Sequence, residues 1–382
     1  MAAARRLART GLRDSRAKPV DCHRRHSIAV LRHVFCRSKL LRSLLDLLTT
    51  ALVNFDGDRT MNNAAELPVD IRIGTETQRP ARADARAGWR DFLLGLPQPV
   101  LVLGSAFAVA SAYVYGWMDY GLLAIIMTML ATPLCLIAER LWPKRKDWIL
   151  TPKELAEDAF WRAGGTFLWA PLYSDYFRTP ISDAFKYWRD QMALHWKLDS
   201  HSVIGLVLCA ILLRTLSEGI YYWLHRVQHE SLFWWRMHAT HHHITKMSAM
   251  RGGRTHPLEF ASLVLAGPIV LALTGASGGV IAVSAAFGFW NGALNHANLP
   301  LKSNKLYALL FATTEQHHLH HSREIAQSNN NYGCNIILWD RIFGTYSDAT
   351  DIKAVGAGTG KALPIWEQFK MAFVSSKKLT RY

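Results

Sequence analysis

The sequence contains no Cys-x-x-Cys pair. Its five cysteines, Cys22, Cys36, Cys135, Cys209 and Cys334, are odd in number and scattered over 382 residues. That argues against a disulfide framework and against a thiolate zinc site. There is no glycine-rich dinucleotide or flavin signature and no His-Pro-Gly-Gly of a fused cytochrome b5 domain, so no redox group of those kinds is built into the chain. Strand-like alternation, internal repeats and low-complexity tracts are absent. Acid is scarce: 29 Asp and Glu stand against 44 Lys and Arg, for a net charge of +15. Of this, +8 falls within positions 1–60. The basicity is largely a property of one end, and it does not point to a nucleic-acid-binding face.

Half of the residues are hydrophobic, and they come in long runs, which point to a membrane. Pro99–Trp117 and Gly121–Ala138 carry no charge and read as a helical hairpin. The basic run Arg140–Lys146 that follows reads as a cytosolic stop. Val203–Leu224 is a further span, broken by Arg214 and Glu218, and Phe260–Leu273 and Gly279–Leu294 form a longer apolar region with a bend at Gly275, Gly278 and Gly279. Every apolar run has helix length. The expected fold is therefore all-α: a polytopic membrane helix bundle with a cytosolic, histidine-rich metal-binding cap. Residues 1–97 are expected to be a disordered or targeting segment, with a true start at Met61, residues 98–346 the membrane domain, and 347–382 a C-terminal cytosolic tail.

Histidine is the unusual residue. Twelve of the 17 lie between His225 and His321. Three clusters stand out: His225 and His229; His238, His241 and His242; and His317, His320 and His321. Spacings of three and four put side chains on one helix face. Imidazole suits zinc, copper, iron and nickel. A mononuclear zinc site takes about four ligands, and eight histidines are about right for two metals. No carboxylate lies inside a cluster, unlike ferritin-like sites. The reading is two iron ions held almost wholly by histidine. His243 and His318 point off the shared faces of their clusters and are excluded. Glu218 shares a helix face with His225 and His229. It either accepts an N–H from a ligand histidine or pairs with Arg214 at i, i+4. Asp340 and Asn331 are read as orienting ligands or capping a turn.

The order HxxxH, HxxHH, HxxHH resembles the fatty acid hydroxylase superfamily, in its sterol desaturase branch. So do Arg254-Thr-His-Pro-Leu-Glu259, His296-Ala-Asn-Leu, Asn331-Tyr-Gly and the Trp339–Tyr346 segment. The likeness covers about Glu139 to Tyr346. It implies a membrane helix bundle whose cap holds two irons, with O2 as co-substrate, and hydroxylation or desaturation of a lipid, fatty acyl or sterol-like substrate. By position, His296 resembles a further ligand. His256 is a possible ligand, with a supporting hydrogen bond or the polar start of a membrane helix as alternatives. Electrons would come from an external donor of the ferredoxin or cytochrome b5 type with its reductase.

All three clusters must lie on one side of the membrane to meet at one pair of metals. Ala159–Phe177 is therefore expected to cross, with Thr179–Ser202 on the outer side. The rival readings are a histidine-rich metal transporter, which would place histidines inside the spans, and a catalytically dead scaffold, which would lack a cluster member. A multi-pass location in a bacterial inner membrane, rather than in the endoplasmic reticulum, is expected.

Overall fold

The computed structural model describes residues 85–375 and Leu379, leaving out the side chains of 85–87 and 260–264. The Arg-rich segment 1–60, Met61 and the chain up to residue 84 lie outside the described residues. The described residues form one compact unit. Among the described residues it is helical, with no strand and only two isolated β-bridges, Phe311 with Ile336 and Ser322 with Val355.

The hairpin begins earlier than its apolar run. Helix α1 (Ala85–Leu94) is followed by α2 (Pro97–Tyr115) and α3 (Tyr120–Leu141). The disordered or targeting segment expected over residues 1–97 is therefore corrected at its end, where residues 85–94 are helical. Residues 85–94 form an amphipathic turn set with Trp89, Phe92 and Leu93 exposed, and the Leu94 carbonyl accepts from the Lys302 N–H. Pro97 starts α2, where its missing N–H costs nothing. Gly116, at φ 65°, ends α2 in the left-handed region, and the Asp119 side chain caps α3 through the Leu122 N–H.

Residues 152–191 form one long helical segment of changing pitch: α4 (Pro152–Gly164), a π turn at Gly165–Trp169, α5 (Ala170–Tyr173), a second π turn at Ser174–Arg178, and α6 (Thr179–Gln191). Each π turn runs into a proline, Pro171 or Pro180, whose absent N–H interrupts the regular ladder. Helix α7 (Val203–Glu230) is continuous through the first histidine cluster, and α8 (Leu232–His242) carries the second. Then come α9 (Phe260–Thr274), α10 (Gly278–His296) and α11 (Thr314–His320), the last opened by a Thr313–Gln316 capping box.

Among the described residues, three helices are long and apolar enough to cross a membrane: 88–115, 120–141 and 203–230. The 159–177 segment is not one of them, and α9 and α10 fall short by length or polarity. Helix α10 is instead the buried centre, packed against α2, α3 and α7. Val280, Val283, Ala286, Phe287 and Leu294 meet Val102, Val109, Leu206 and Leu213. Its buried asparagines, Asn291 and Asn295, are paired inside the bundle, as burial away from water demands. The Gln98 amide nitrogen lies 2.8 Å from both Asn291 Oδ1 and Asn295 Oδ1, and the Tyr307 hydroxyl reaches Asn291 at 2.9 Å.

The path is an end-to-end weave. Gln98 at the start of α2 bonds to Thr314, beside the histidines, whereas Tyr113 and Tyr120 lie against Gly279 and Gly278 at the opposite end. Glu139 near the end of α3 is back at the histidine end, accepting from Ser248, Ala249 and Asn298. Asp158 in α4 is also there, but Arg189 in α6 lies against Gly275, at the bend between α9 and α10. Leu198 bonds to Thr274 and Ser277 at that far end. Gly275 adopts φ 57°, the left-handed turn the glycine run suggested. Residues 152–191 thus run the length of the bundle, whatever their polarity.

The C-terminal segment is not a free tail. Helix α12 (Ile365–Lys370) and the turn Met371–Phe373 pack onto α8. Gln368 and Met371 are fully buried, and Phe369 stacks on Trp161 at 4.4 Å. A buried ion cluster joins this layer to α4. Asp158 bonds to Arg251 at 3.1 Å and also to Arg254, and Arg251 reaches Glu154 at 3.1 Å. Arg254 continues to Gln368 at 3.2 Å.

Two outcomes are expected. Asp158→Asn strips the shared counter-charge from two buried guanidiniums and should cost ~3–5 kcal/mol, read as a lower thermal unfolding midpoint in detergent. In a cysteine-free background, Asp190→Cys and Asp351→Cys should label from opposite sides of the membrane. Labelling of both from one side would put residues 152–191 in the interface rather than across it.

Candidate metal centre

Nine histidines converge at one end of the bundle, in two groups that cut across the sequence clusters. His225, His229, His238, His242 and His320 form the first, and His241, His296, His317 and His321 the second. Within each group the donor atoms lie within 4.8 Å of one another. Every histidine expected as a ligand, His296 included, falls in one of them. The neighbours His241 and His242 part to different groups, as do His320 and His321. On α8, His238 and His242 share a face at i, i+4 and His241 turns to the other side. At the end of α11, His317 and His321 share a face and His320 turns away.

Seven of the rings are buried and His229 and His241 half-buried, and the outer nitrogens of six are tied to oxygen acceptors. Nδ1 of His225 donates to the Tyr332 carbonyl at 2.6 Å, His320 to the Asn330 carbonyl at 2.9 Å, and His229 to Asn329 Oδ1 at 3.3 Å. His238 donates to Glu259 at 2.6 Å, His241 to the Arg254 carbonyl at 3.1 Å and His296 to the Gly292 carbonyl at 2.9 Å. An oxygen acceptor places the proton on Nδ1 and leaves the lone pair on Nε2. Those Nε2 atoms face one another: His225–His238 at 2.9 Å, His225–His320 and His229–His242 at 3.2 Å, His296–His317 at 3.0 Å and His241–His296 at 3.4 Å. Lone pairs aimed together repel unless a cation lies between them. Donors about 2.0–2.1 Å from one metal sit about 3.0–3.4 Å from each other, which the spacing matches. Burial depresses the imidazole pKa of His238 and of His241 to about 3, so both rings are neutral at neutral pH, the form that binds metal.

The remaining candidates have other duties. His256 lies outside both groups. Its Nδ1 accepts from the Leu258 N–H at 3.1 Å and its Nε2 donates to the Phe369 carbonyl at 3.2 Å, so neither nitrogen is left for a metal. His318 bonds to the Ala297 carbonyl at 3.1 Å and packs edge-on to Trp148. His243 is buried but in neither group.

Glu218 does not bond to a ligand histidine, and its partners lie in a loop. Oε2 accepts from the N–H groups of Cys334 and Asn335 at 3.0 and 3.2 Å, and Oε1 from the Asn335 amide at 2.6 Å. The ligand-histidine alternative for Glu218 is thereby corrected: its hydrogen bonds run to a backbone 116 residues away, with Arg214 a neighbouring charge. Asp340 grips the same loop, accepting from Tyr332 and Gly333 at 2.8 Å. Asn331, at φ 56°, bridges Gln316 and Ser347. Two carboxylates therefore hold the 329–335 loop, which supplies acceptors to three histidines of the first group.

Glu259 escaped the sequence reading as a partner of His238, because 21 residues and no helical period separate them. The only signal was its place in the Arg254–Glu259 motif. The carbonyls of Tyr332, Asn330 and Arg254 leave no mark in side-chain chemistry at all. Gly252 fits a close approach: a Cβ there would lie 2.9 Å from His296 Nδ1.

A family model for fatty acid hydroxylase matches residues 207–345, the stretch that holds all nine histidines. The ornithine lipid hydroxylase OlsE of Rhizobium tropici is 31% identical over 233 residues, covering 57% of this chain and 66% of that protein. Human alkylglycerol monooxygenase is 31% identical over 159 residues, 40% of this chain and 33% of its own length. The very-long-chain aldehyde decarbonylase CER1 of Arabidopsis thaliana is 28% identical over 168 residues, 41% and 25% respectively. The chain spans just under two thirds of the first relative and a third or less of the other two. No solved structure matches. With the histidine clusters, the helical scaffold and the matched region in agreement, residues 207–345 are a fatty acid hydroxylase domain.

Proposed function

We propose that this protein is an O2-dependent membrane oxygenase that holds two iron ions, one in each imidazole group, and hydroxylates a C–H bond of a lipid. The observation that carries the reading is the convergence of nine imidazoles, seven buried and two half-buried, in two groups at one end of a bundle containing membrane-length helices. Five imidazoles in one group exceed the four of a structural zinc site, and imidazole donors suit iron. The lipid substrate is supported by the names of two relatives, an ornithine lipid hydroxylase and an alkylglycerol monooxygenase.

Iron bound there would supply the activation of dioxygen needed to oxidise an unactivated C–H bond. The chain's own residues do the rest. Burial keeps the imidazoles neutral, and the Nδ1 partners fix each ring's tautomer and direction. The layer made by α8, the 248–259 segment and α12 covers the histidines and limits water. In hydroxylation one oxygen atom enters the C–H bond and the other leaves as water, with two electrons and two protons supplied from outside. We assign the electrons to an external donor of the ferredoxin or cytochrome b5 type. The histidine end faces the cytosol, where such donors are found and where the basic run Arg140–Lys146 belongs, and the protein sits as a multi-pass protein in a bacterial inner membrane. The metal-transport alternative is disfavoured because the nine rings gather at one end of the bundle instead of along a path through it.

Expression in a lipid-producing host, with iron supplied, should add one oxygen atom to a membrane lipid, seen by lipid mass spectrometry. A loss of two hydrogens instead would mark a desaturase, and an unchanged lipid profile from iron-loaded protein would overturn the oxygenase reading. Purified protein should carry two metal ions per chain. The double variant His241→Ala, His320→Ala removes one donor from each group and should lose both metals and activity.

The 329–335 loop offers an independent check. A Cβ on Gly333 would collide with the Ile336 carbonyl and press on Asp340. Gly333→Ala should cost ~1–3 kcal/mol in thermal stability, and it should lower metal content by moving the Tyr332 carbonyl off His225. Unchanged metal content would show that the loop does not hold the ring.

A further inference from the structure

The two imidazole groups are not supported alike. In the first, the Nδ1 atoms of His225, His229, His238 and His320 all have oxygen partners. In the second, His241 and His296 have carbonyl partners. Among the described residues no hydrogen bond reaches Nδ1 of His317 or either ring nitrogen of His321. One contact differs in kind from the rest. Eight rings meet carbonyl or amide oxygens, other rings or nothing, but His238 meets a carboxylate, Glu259, at 2.6 Å. The two side chains are only 1% and 3% exposed. Glu259 closes the 3-10 turn Pro257–Glu259 in front of α9, and its own N–H is held by the His256 carbonyl at 2.9 Å. The carboxylate is therefore fixed from the backbone side.

Opposite an imidazole that carries a metal cation the Glu259 carboxylate would be a charged acceptor, and a charged acceptor binds an N–H about twice as strongly as a neutral one. On the outer nitrogen of an imidazole it also raises the donor strength of the inner one. A ring already anchored loses little freedom when it takes a metal, and a ring free to turn loses more.

We propose that Glu259, acting through His238, makes the five-imidazole position the tightly held one of the two, and that the four-imidazole position, where His317 and His321 are unanchored, releases its metal first. The inference rests on the two-metal reading above. Glu259 is a positioning residue: its bond is to the ring's outer nitrogen, on the side away from the converging Nε2 atoms.

The test is a chelator titration of the full-length protein in detergent, loaded anaerobically with ferrous iron and in parallel with cobalt(II) as a spectroscopic probe. Metal per chain is read by mass spectrometry and the cobalt bands by absorbance. The wild type should release one metal per chain first, and the second only at about 10- to 100-fold more chelator. Glu259→Gln keeps an oxygen for the His238 N–H but removes the charge. It should bring the second release down toward the first and shift the cobalt band of the retained ion, with the unfolding midpoint of the stripped protein unchanged. His317→Ala should load one metal, and that one should show the chelator-resistant release. A wild type that gives up both metals together overturns the inequality. Two well-separated steps persisting in Glu259→Gln overturn the part given to Glu259. A surviving metal in His317→Ala that is easily removed reverses the assignment of the two positions. Wild type that never loads more than one metal fails the two-metal reading itself, which is a different result from any of these.

Discussion

Nine imidazoles converge on two places, and much of the structure around them serves to orient them. A histidine ring can turn about two bonds and can carry its proton on either nitrogen. Burial removes the charged form but does not choose the tautomer or the angle. That choice is made from outside, by an oxygen set against Nδ1. Six of the nine rings have such an oxygen, from Tyr332, Asn330, Asn329, Glu259, Arg254 and Gly292. Each belongs to a segment that must itself be held, so the metal centre reaches well beyond its ligands.

Two of those segments are held by charge. Glu218 and Asp340 grip the 329–335 loop through backbone N–H groups, and Asp158 anchors Arg251 and Arg254. Buried carboxylates stripped of partners would be costly. Here each has several, and the interaction energy goes into fixing backbone rather than into contact with the metals. Glu259 is the exception, because its carboxylate touches a ring directly.

The bundle beneath supplies a different constraint. Helices α2, α3 and α7 are apolar enough to face lipid, so α10 can be less so, burying Asn291 and Asn295 among them with every partner satisfied. Alternating passes return α3, α7 and α10 to the same end. That return brings three clusters, separated by up to 96 residues, onto one pair of sites.

Much of this was legible in the sequence. The apolar runs had helix length, the histidines had helical spacing, and their number fitted two metals, because both signals are local and depend only on chemistry along one helix. His296 needed the likeness to a known family, since no second histidine stands near it. The division of the rings was not legible. Neighbours such as His241 and His242 go to different groups because a helix turns about 100° per residue, and which side meets which partner is settled only when α7, α8, α10 and α11 are packed. The roles of Glu218 and Glu259 were hidden for the same reason. The sequence placed Glu218 on the face of His225, but its partners lie on a loop more than a hundred residues on. Glu259 reaches His238 only because the start of α9 folds against α8. By itself the sequence determined eight of the nine converging histidines, their helical spacing and the membrane setting. Tertiary structure decided which donors share a metal position and what holds each ring, because those depend on contacts between segments that no local pattern encodes.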